Sequence, residues 1–436
     1  MNITIHRGTK QIGGCVTEIE SNGYKVFIDY GEQLPGTNTE YSASLQIDGL
    51  THGDVSKSAL FITHYHGDHI GAIGDTDPGL PIHVGKTALA IYKCLKKRLS
   101  KIPDPTEAEK HKIILERIKT IQTFTDRQKI HIGGITVTPL FVDHSAFDAY
   151  MFIVETDQKR VLHTGDFRSH GFKGKALVSM LEAFCTNIDY IICEGSNILR
   201  PEAACQTEHD LQNDFETQFK NYKYNFVLVS STNIDRIFAL YHAAKNAKRC
   251  FVCDEYQAGV LKTVSSHHKN LDFYKIDYKQ WKNPCGRFLK LLQDKKNNRF
   301  LFTEKLKNYL DKYGFCMLIR AKDSFKSILD QYYQSDKSKI YYSMWKGYLD
   351  KTKPAFSASL FDFFKPYAFE YKHTSGHADV QTLKTVFETV KPKCGIIPIH
   401  TDAPEKFNDL FPDQKIILLR DGHVFSCDAL RYDPLH

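Results

Sequence analysis

The sequence of 436 residues predicts an α/β protein, and three observations support that class. Residues 1–200 contain many short apolar segments separated by glycine turns, as in strands with helices laid against them. Residues 201–365 alternate between strand-like and helix-like segments, which favours a parallel sheet covered by helices. Residues 366–436 return to a strand–helix–strand order. A chain of this length also favours two or three domains.

The first region begins with three predicted strands, the first two separated by a turn at Gly13-Gly14. Apolar spacing predicts a helix over Lys86–Leu99. Thr106 opens a Thr-Glu-Ala-Glu sequence that fits a capping box, so we expect a second helix to start there. The strands predicted in this region are Ile3–His6, Cys15–Glu20, Tyr24–Asp29, Ala59–Thr63, Ile135–Leu140, Tyr150–Glu155, Val161–His163 and Tyr190–Cys193.

The central and final regions are predicted as alternating strands and helices, without internal repeats. The central strands are Phe226–Ser230, Arg249–Cys253, Phe315–Ile319 and Lys339–Tyr342, and the central helices are Asn233–Asn246 and Glu255–Val264. The final strands are Phe369–Lys372, Gly395–Ile399 and Lys415–Leu419, and the final helices are Val380–Val390 and Pro404–Leu410.

Composition excludes several classes of protein. Hydrophobic residues make up 42% and charged residues 25%, an ordinary globular mixture. We find no apolar run of membrane-spanning length and no export signal at the N-terminus. The 11 cysteines are an odd number scattered along the chain, which argues against a disulfide framework. We therefore expect a soluble cytoplasmic protein with no membrane partner.

The positive charge is concentrated in one segment. The chain carries a net charge of +7, whereas residues 201–365 hold 28 basic and 18 acidic residues, a net charge of +10. The same segment contains both tryptophans, Trp281 and Trp345. Lysines interleaved with aromatic residues suit a nucleic acid, because lysine neutralises phosphate and aromatic faces stack on bases. A solvated lysine surface over an aromatic core explains the same composition.

The strongest chemical signal is Thr63-His64-Tyr65-His66-Gly67-Asp68-His69, which directly follows a predicted strand. Three imidazoles and a carboxylate this close together need a compensating charge if they are buried. A divalent metal ion supplies that charge, and zinc accepts both imidazole nitrogen and carboxylate oxygen. On an extended backbone His64 and His66 point the same way, whereas Asp68 and His69 can face a second ion.

This motif resembles the His-x-His-x-Asp-His motif of the metallo-β-lactamase fold. Residues 27–31, 142–145 and 162–166 then match, in the family's order, an Asp-containing strand end, a third-motif histidine and a bridging aspartate. The resemblance implies an αββα sandwich with two Zn²⁺ ions, Mn²⁺ being an alternative, that drive hydroxide attack on a phosphodiester. It implies support of the metal loops by Asp29 and the metal ligands His64, His66, Asp68, His69, His144, Asp166 and His400.

The later part of the chain resembles the β-CASP branch of this fold, which contains nucleic-acid-processing nucleases, and within it ribonuclease J most of all. Glu194 matches the acidic residue before the inserted domain, and His373–His377 matches the His-x-Ser-Gly-His element after it. Residues 230–236 resemble the Ser-Asn-x-x-Arg start of a helix inside the insertion. The implied domains are 1–200, an inserted basic β-CASP domain over 201–365, and a return segment over 366–436.

The candidate catalytic residues are Asp68, His377 and Glu194. His377 is the candidate general acid, because the pKa of an imidazole lies near neutral pH; the alternative is a structural hydrogen bond. Glu194 would orient His377 or a ligand histidine, or would instead cap a helix. The candidate phosphate-binding groups are Ser231 at a helix N-terminus, His373, Ser375 and the backbone of Gly376.

Two departures from the ribonuclease J pattern leave exonuclease and endonuclease cleavage both open. Residues 398–402 read Pro-Ile-His-Thr-Asp where the family has Pro-x-His-Gly-Glu. Residues 341–345, Tyr-Tyr-Ser-Met-Trp, stand about where the family has Gly-Ser-Gln-Gly-Glu-Pro.

The sequence therefore predicts a two-zinc nuclease acting on RNA, and homodimer formation is left open. Three alternatives remain: a DNA nuclease of the same branch, a non-catalytic binding subunit, and a small-molecule hydrolase of lactone or thioester type. The complete ligand set argues against the binding subunit, and the basic insertion argues against the small-molecule hydrolase. Cys250 and Cys253 form a Cys-x-x-Cys on a predicted strand, where we expect them in the core.

Overall fold

A computed structural model describes residues 1–35, 45–201, 205–268, 271–276, 287–294, 299–333 and 336–428. The chain divides into two compact units. Unit 1 comprises Met1–Ser169, Lys173–Ala204 and Gly376–His436, and unit 2 comprises His170–Phe172 and Cys205–Ser375. Trp281, one of the two tryptophans expected in a basic aromatic surface, lies outside the described residues.

The strands in chain order are β1 (Asn2–Arg7), β2 (Val16–Ser21), β3 (Tyr24–Ile28), β4 (Ser58–Ile62), β5 (Ile82–Gly85), β6 (Gln122–Phe124), β7 (Ile130–Ile132), β8 (Ile135–Val142), β9 (Ala149–Glu155), β10 (Arg160–His163), β11 (Tyr190–Glu194), β12 (Tyr224–Val229), β13 (Cys250–Asp254), β14 (Phe288–Leu291), β15 (Gln293–Asp294), β16 (Arg299–Phe300), β17 (Phe315–Ile319), β18 (Ser338–Ser343), β19 (Glu370–Tyr371), β20 (Gly395–Ile399) and β21 (Val424–Ser426).

The α-helices are α1 (Gly67–Ile70), α2 (Lys86–Leu99), α3 (Pro105–Arg117), α4 (Leu177–Phe184), α5 (Glu208–Asn221), α6 (Ile234–Asn246), α7 (Glu255–His267), α8 (Glu304–Tyr313), α9 (Asp323–Tyr332), α10 (Ala358–Phe364), α11 (Val380–Val390) and α12 (Lys406–Leu410). Short 3₁₀ helices connect some of them, including Lys346–Leu349 after β18.

Unit 1 is a sandwich of two sheets. Their strand orders are β21-β1-β2-β3-β4-β5-β6 and β20-β11-β10-β9-β8-β7. Apolar side chains of both sheets, such as Ile19 and Phe61 of the first and Phe152 and Ile192 of the second, share one buried core. Helices α4, α11 and α12 cover the outer face of the second sheet, and α2 packs on β5 and β6. This αββα arrangement confirms the fold class predicted from the sequence.

Unit 2 is built on a six-stranded sheet in the order β14-β13-β17-β12-β18-β19, with every strand parallel to its neighbours. Helices α8, α9 and α10 share a core with one face of this sheet. On the other face, Phe215 and Phe219 of α5 pack against Tyr341. Because β19 pairs with β18, unit 2 extends to Ser375, beyond the boundary expected at residue 365.

Most elements lie where the sequence predicts them, with two corrections. The predicted strand Lys415–Leu419 is wrong, since that segment forms only an isolated bridge from Ile416 to Ile396. The capping box at Thr106 is also wrong: α3 is capped by Asp104, which accepts from the Thr106 and Glu107 amides. Proline fits the first helical position because its φ is already helical, so the helix starts at Pro105.

Among the residues that the structure describes, no cysteine is in a disulfide bond. Cys250 and Cys253 of β13 are both fully buried. The described part of the chain contains no helix that is long and apolar enough to span a membrane.

His83 makes the stability of unit 1 sensitive to acid. Its ring stacks on Phe61 with centroids 4.7 Å apart, and burial lowers its pKa from 6.5 to about 4. The unfolded chain therefore binds the proton more tightly, so this contribution to stability is present above pH 6.5 and is lost as the pH falls towards 4. We expect His83→Phe, which keeps a stacked ring, to recover about 1–2 kcal/mol at pH 5 relative to wild type. Urea unfolding at pH 7 and pH 5 measures this, and an equal acid loss in both proteins would contradict it.

Candidate metal centre

The histidine motif follows β4 and is oriented by Asp29 at the end of β3. The Asp29 carboxylate accepts hydrogen bonds from the Thr63 amide and hydroxyl, both at 2.7 Å. Asp29 Oδ2 also lies 2.8 Å from His69 Nδ1. A histidine that donates its Nδ1 proton to a carboxylate presents Nε2 as a lone pair, so Asp29 fixes the orientation of His69.

Backbone hydrogen bonds from two earlier segments hold Asp68 and His69. The Gly14 amide donates to Asp68 O at 3.0 Å, and the Tyr30 amide donates to His69 O at 2.8 Å. A Cβ on Gly31 would lie 1.7 Å from Asp68 O, so a residue with a side chain would push this turn away. The sequence predicts a turn at Gly13-Gly14, but it does not predict the hydrogen bond from Gly14 to Asp68.

The first ligand group consists of His64, His66 and His144. His66 Nδ1 lies 3.1 Å from His64 Nε2 and 3.2 Å from His144 Nε2. His144 Nδ1 lies 2.7 Å from the carbonyl oxygen of Gly376, an acceptor that directs Nε2 of His144 toward the other two rings. The three imidazoles can together hold one metal ion.

The second group consists of Asp68, His69 and His400, with Asp166 beside both groups. His400 Nε2 lies 3.4 Å from Asp68 Oδ2, and His69 Nε2 lies 3.7 Å from the same oxygen. Asp166 Oδ2 lies 3.1 Å from His69 Nε2 and 3.8 Å from both His64 Nε2 and His400 Nε2. The structure therefore brings Asp166 together with the other six residues that the sequence predicted as ligands.

In this centre burial keeps three histidines neutral, whereas neighbouring charge keeps two carboxyl groups ionised. Burial lowers the pKa of His64 and His144 well below the ordinary range and that of His66 to about 4, so these imidazoles are neutral. Burial opposes ionisation of Asp166 and Asp68, but the neighbouring histidines outweigh it and hold both carboxyl pKa values low. His69 differs, because Asp166, Asp68 and Asp29 outweigh the effect of its burial and raise its pKa well above the ordinary value, so a metal ion would have to displace its proton. For the other groups named here, a neutral imidazole or an ionised carboxylate is the state that binds metal.

The donor set fits a divalent metal ion. His69 Nε2 is buried and makes no hydrogen bond to any described residue, although it lies 3.1 Å from Asp166 Oδ2. Two donor groups that face each other at this distance without a hydrogen bond are arranged as two ligands of one metal ion would be. Nitrogen and carboxylate donors in this ratio suit zinc, and the Irving–Williams order leaves other divalent ions as competitors.

His377, Glu194 and Ser196 form a hydrogen-bonded group at the edge of the centre. His377 Nδ1 lies 3.0 Å from Glu194 Oε2, and the Ser196 hydroxyl donates to that same oxygen at 2.7 Å. Burial opposes protonation of His377, but Glu194 and Asp166 outweigh it and raise its pKa to about 9. The His377 side chain is 26% exposed, whereas that of His400 is 1% exposed.

Sequence reasoning missed Ser196. Its Oγ lies 2.8 Å from His400 Nδ1 and 3.1 Å from His377 Nδ1, so one hydroxyl touches both imidazoles. Because the hydroxyl proton is donated to Glu194, the hydroxyl oxygen can accept the Nδ1 proton of His400. His400 is also held by its own backbone, in the left-handed region at φ +51°, with its amide donating to Gly8 O at 2.8 Å.

A buried ion pair joins the loops that carry His144 and Asp166. Arg168 Nε donates to Asp143 Oδ1 at 3.0 Å, and both side chains are fully buried. The Arg168 amide donates to Asp143 O at 2.8 Å. In the sequence, Asp143 directly precedes the predicted ligand His144, and Arg168 follows Asp166 by two residues.

Ser231, His373 and Ser375, three of the predicted phosphate-binding residues, belong to unit 2, whereas Gly376 belongs to unit 1. Ser231 does not stand at the start of a helix, and that expectation is wrong: Asn233 caps α6 by accepting from the Arg236 amide. A Cβ on Gly376 would lie 2.5 Å from Ser145 Oγ, so this glycine is needed for close packing. Phosphate binding by these residues stays a prediction.

Comparison with known proteins agrees with this geometry. Residues 36–190 match the family described as the metallo-β-lactamase superfamily. This match covers about a third of the chain and supports the fold described above. The fold of this superfamily implies divalent metal binding, in agreement with the histidine–aspartate clusters. A crystal structure of a protein of unknown function from Enterococcus faecalis V583 has the same fold, with a TM-score of 0.73 and 20% identity, covering 97% of this chain and 99% of that one.

Curated proteins that are similar to this chain include two kinds of enzyme. Ribonuclease J of Mycobacterium tuberculosis is 27% identical over 211 residues, which cover 45% of this chain and 34% of the relative. Ribonuclease J of Mycoplasma genitalium is 24% identical over 254 residues, covering 56% and 42%. The atrochrysone carboxyl ACP thioesterase of Aspergillus chevalieri is 28% identical over 196 residues, covering 44% and 52%. The matches therefore span about a third to a half of each relative.

We expect Ser196→Ala to weaken metal binding at the second group. His400 loses the acceptor of its Nδ1 proton, and removing such a support lowers metal affinity by about 10–100-fold. Competition of the protein with a chelator for Zn²⁺ measures this affinity. Ser196→Thr keeps the hydroxyl and should bind Zn²⁺ as wild type does. Ser169→Ala is a matched control, because the Ser169 hydroxyl bonds Thr382, outside the centre. Equal Zn²⁺ affinity in Ser196→Ala and wild type would contradict the expectation.

Proposed function

We propose that this chain is a metal-dependent nuclease of the β-CASP branch that hydrolyses phosphodiester bonds in RNA. The observation that carries the proposal is the pair of histidine–aspartate groups that adjoin at Asp166. His64, His66 and His144 would hold one Zn²⁺, and Asp68, His69 and His400 a second, with Asp166 between them; Mn²⁺ is the alternative ion. Divalent metal supplies polarisation of a phosphoryl oxygen and activation of water near neutral pH.

The protein's own contribution to the reaction is proton transfer and orientation. His377 is the candidate general acid, because its ring is the more exposed and its protonated form is favoured by Glu194. Glu194 Oε1 is fixed by the Phe167 amide at 3.0 Å, which leaves Oε2 for His377. Glu194 therefore orients the acid, and its expected alternative role as a helix cap has no support among the described contacts.

The choice of RNA is supported by two observations. Several curated relatives are named ribonuclease J. The central segment of +10 charge falls within unit 2, apart from its first residues, and can neutralise phosphates. Phosphate contacts would come from Ser231, His373, Ser375 and the Gly376 backbone.

A second candidate is a small-molecule hydrolase of thioester type. The thioesterase relative from Aspergillus chevalieri favours it, at an identity similar to that of the ribonucleases. The same metal centre could polarise a thioester carbonyl, so the centre alone does not separate the two reactions. A DNA nuclease of the same branch is the third candidate.

Incubation of the zinc-loaded protein with 5′-labelled RNA and DNA oligomers, and with an acyl thioester, tests the proposal. We expect shortened RNA, little change in DNA, an intact thioester and two Zn²⁺ ions per chain by elemental analysis. His66→Ala should abolish cleavage, because it removes the imidazole that adjoins both His64 and His144. His131→Ala is the matched control, since His131 is an exposed histidine in β7. Thioester hydrolysis with RNA left intact would contradict the nuclease assignment, and DNA cleavage alone would move it to the DNA branch.

A separate experiment addresses His377. If it is the general acid, His377→Ala should lower the turnover rate by roughly 10²–10⁴-fold while zinc content and substrate affinity stay unchanged. A phosphodiester with a much better leaving group needs no protonation, so this substrate should recover most of the lost rate. Loss of zinc from His377→Ala would show instead that His377 is a ligand, because it lies among Asp166, Glu194 and His400.

A further inference from the structure

The carboxyl edge of the unit 2 sheet carries an aromatic surface that the proposed chemistry does not use. Strand β18 ends at Ser343, and Trp345 follows two residues later. The neighbouring strands β12 and β19 end beside it, before Ser231 and before His373 respectively. In open parallel sheets, ligands bind outside this edge.

Trp345 and Tyr348 are exposed although their positions are fixed. They are 40% and 36% exposed, and their ring centroids lie 5.5 Å apart at an angle of 84°. The buried Tyr342 donates its hydroxyl hydrogen bond to Trp345 O at 3.0 Å, which anchors the backbone. A Cβ on Gly347 would lie 2.2 Å from the end of the indole, so the indole rests against the Gly347 backbone. Exposed aromatic rings that are held in place lose little entropy when a ligand stacks on them.

Two lysines belong to the same connection as this aromatic pair. Lys346 lies between the two residues in sequence, and its Nζ is 4.2 Å from the ring centroid of Tyr371 in β19. Lys351 follows on the same connection, with its Nζ 4.7 Å from the ring centroid of Phe361. Aromatic rings among lysines match the chemistry of a nucleic-acid strand, whose bases offer flat faces and whose backbone is anionic.

We propose that Trp345 and Tyr348 form a stacking surface for the unpaired bases of a single-stranded nucleic acid, with Lys346 facing its phosphates. The inference rests on the proposed nuclease function and adds to it a preference for single strands. In a duplex the base faces are already stacked on each other, so only an unpaired strand can use these rings. The site lies wholly within unit 2.

Binding of a fluorescein-labelled oligomer, followed by anisotropy, tests the proposal. Loss of one base–aromatic stack costs about 1–3 kcal/mol, so Trp345→Ala should weaken binding of single-stranded RNA by roughly 5- to 150-fold. Trp345→Phe keeps a ring and should retain most of the affinity. Leu301→Ala is the matched control, because Leu301 is a 48% exposed apolar residue of the same unit. The dependence of affinity on salt should be unchanged in Trp345→Ala, since no phosphate contact is removed.

A second experiment combines tryptophan fluorescence with a variant that displaces the indole of Trp345 without removing it. The chain has two tryptophans, so in a Trp281→Phe background the tryptophan fluorescence comes from Trp345 alone. Stacking of a base should quench this fluorescence on titration with single-stranded RNA but not with duplex RNA.

Gly347→Ala displaces the indole, and because the clash is with the far end of that side chain, the fold should survive. This variant should lose both the quenching and the tighter binding.

Three results would overturn the inference. Equal affinity of wild type and Trp345→Ala for single-stranded RNA would exclude stacking at this position. Equal weakening of duplex binding would assign Trp345 to a general surface contact. Dissociation of a dimer by Trp345→Ala in sedimentation, with RNA affinity unchanged, would assign the surface to a second copy of the chain. Failure of the wild type to bind any nucleic acid would instead remove the proposed function on which the inference rests, so the two failures are distinct.

Discussion

The burial of an ionised carboxylate is the constraint around which unit 1 is arranged. Asp166 is 2% exposed, and its Oδ2 faces the Nε2 atoms of His64, His69 and His400 at 3.1–3.8 Å. Burial alone would favour the protonated carboxyl, yet the surrounding imidazoles hold its pKa well below the ordinary range. An isolated buried charge costs several kcal/mol, so these carboxylates need a positive charge beside them. Although burial opposes protonation of His69, Asp166, Asp68 and Asp29 raise its pKa well above the ordinary value, so protonated His69 supplies a charge that a bound cation would replace. The hydrogen bonds and the ion pair around the centre hold these groups in place despite that cost.

Parallel pairing of strands brings the side chains of the candidate metal centre together. Strands β3 and β4 are parallel neighbours in the first sheet, and β10, β11 and β20 are parallel neighbours in the second. The carboxyl ends of parallel neighbours lie at the same edge of a sheet, and these five ends carry Asp29, His64, Asp166, Glu194 and His400. Two of these residues, Asp29 and His400, adopt left-handed backbone conformations at φ +61° and +51°. Such conformations cost free energy in residues other than glycine, and here hydrogen bonds of the backbone and side chains compensate for that cost.

The centre separates a buried side that holds ligands from a more open side that can exchange protons. His64, His69 and His400 are almost fully buried, whereas His377 reaches the surface and is linked inward through Glu194 and Ser196. This division suits hydrolysis of either a phosphodiester or a thioester, because both need an activated water and a protonated leaving group. Discrimination between these substrates must therefore come from residues outside the centre, and the lysines and exposed aromatic residues of unit 2 favour an anionic polymer with flat bases.

The sequence by itself determined the α/β class, most strand and helix positions and the types of ligand, because these depend on local periodicity and on a motif contained within six residues. The αββα sandwich was implied by the resemblance of that motif to a known fold. It did not determine the contacts of Ser196 with His377 and His400, which lie 181 and 204 residues away, nor that of the Gly376 carbonyl with His144. Local rules also misassigned the start of α3, where a proline takes the first helical position, and the strand expected at 415–419, where the pairing with Ile396 is limited to one bridge. Only the tertiary structure decided these features, because hydrogen bonds between distant segments leave no periodic trace in the sequence.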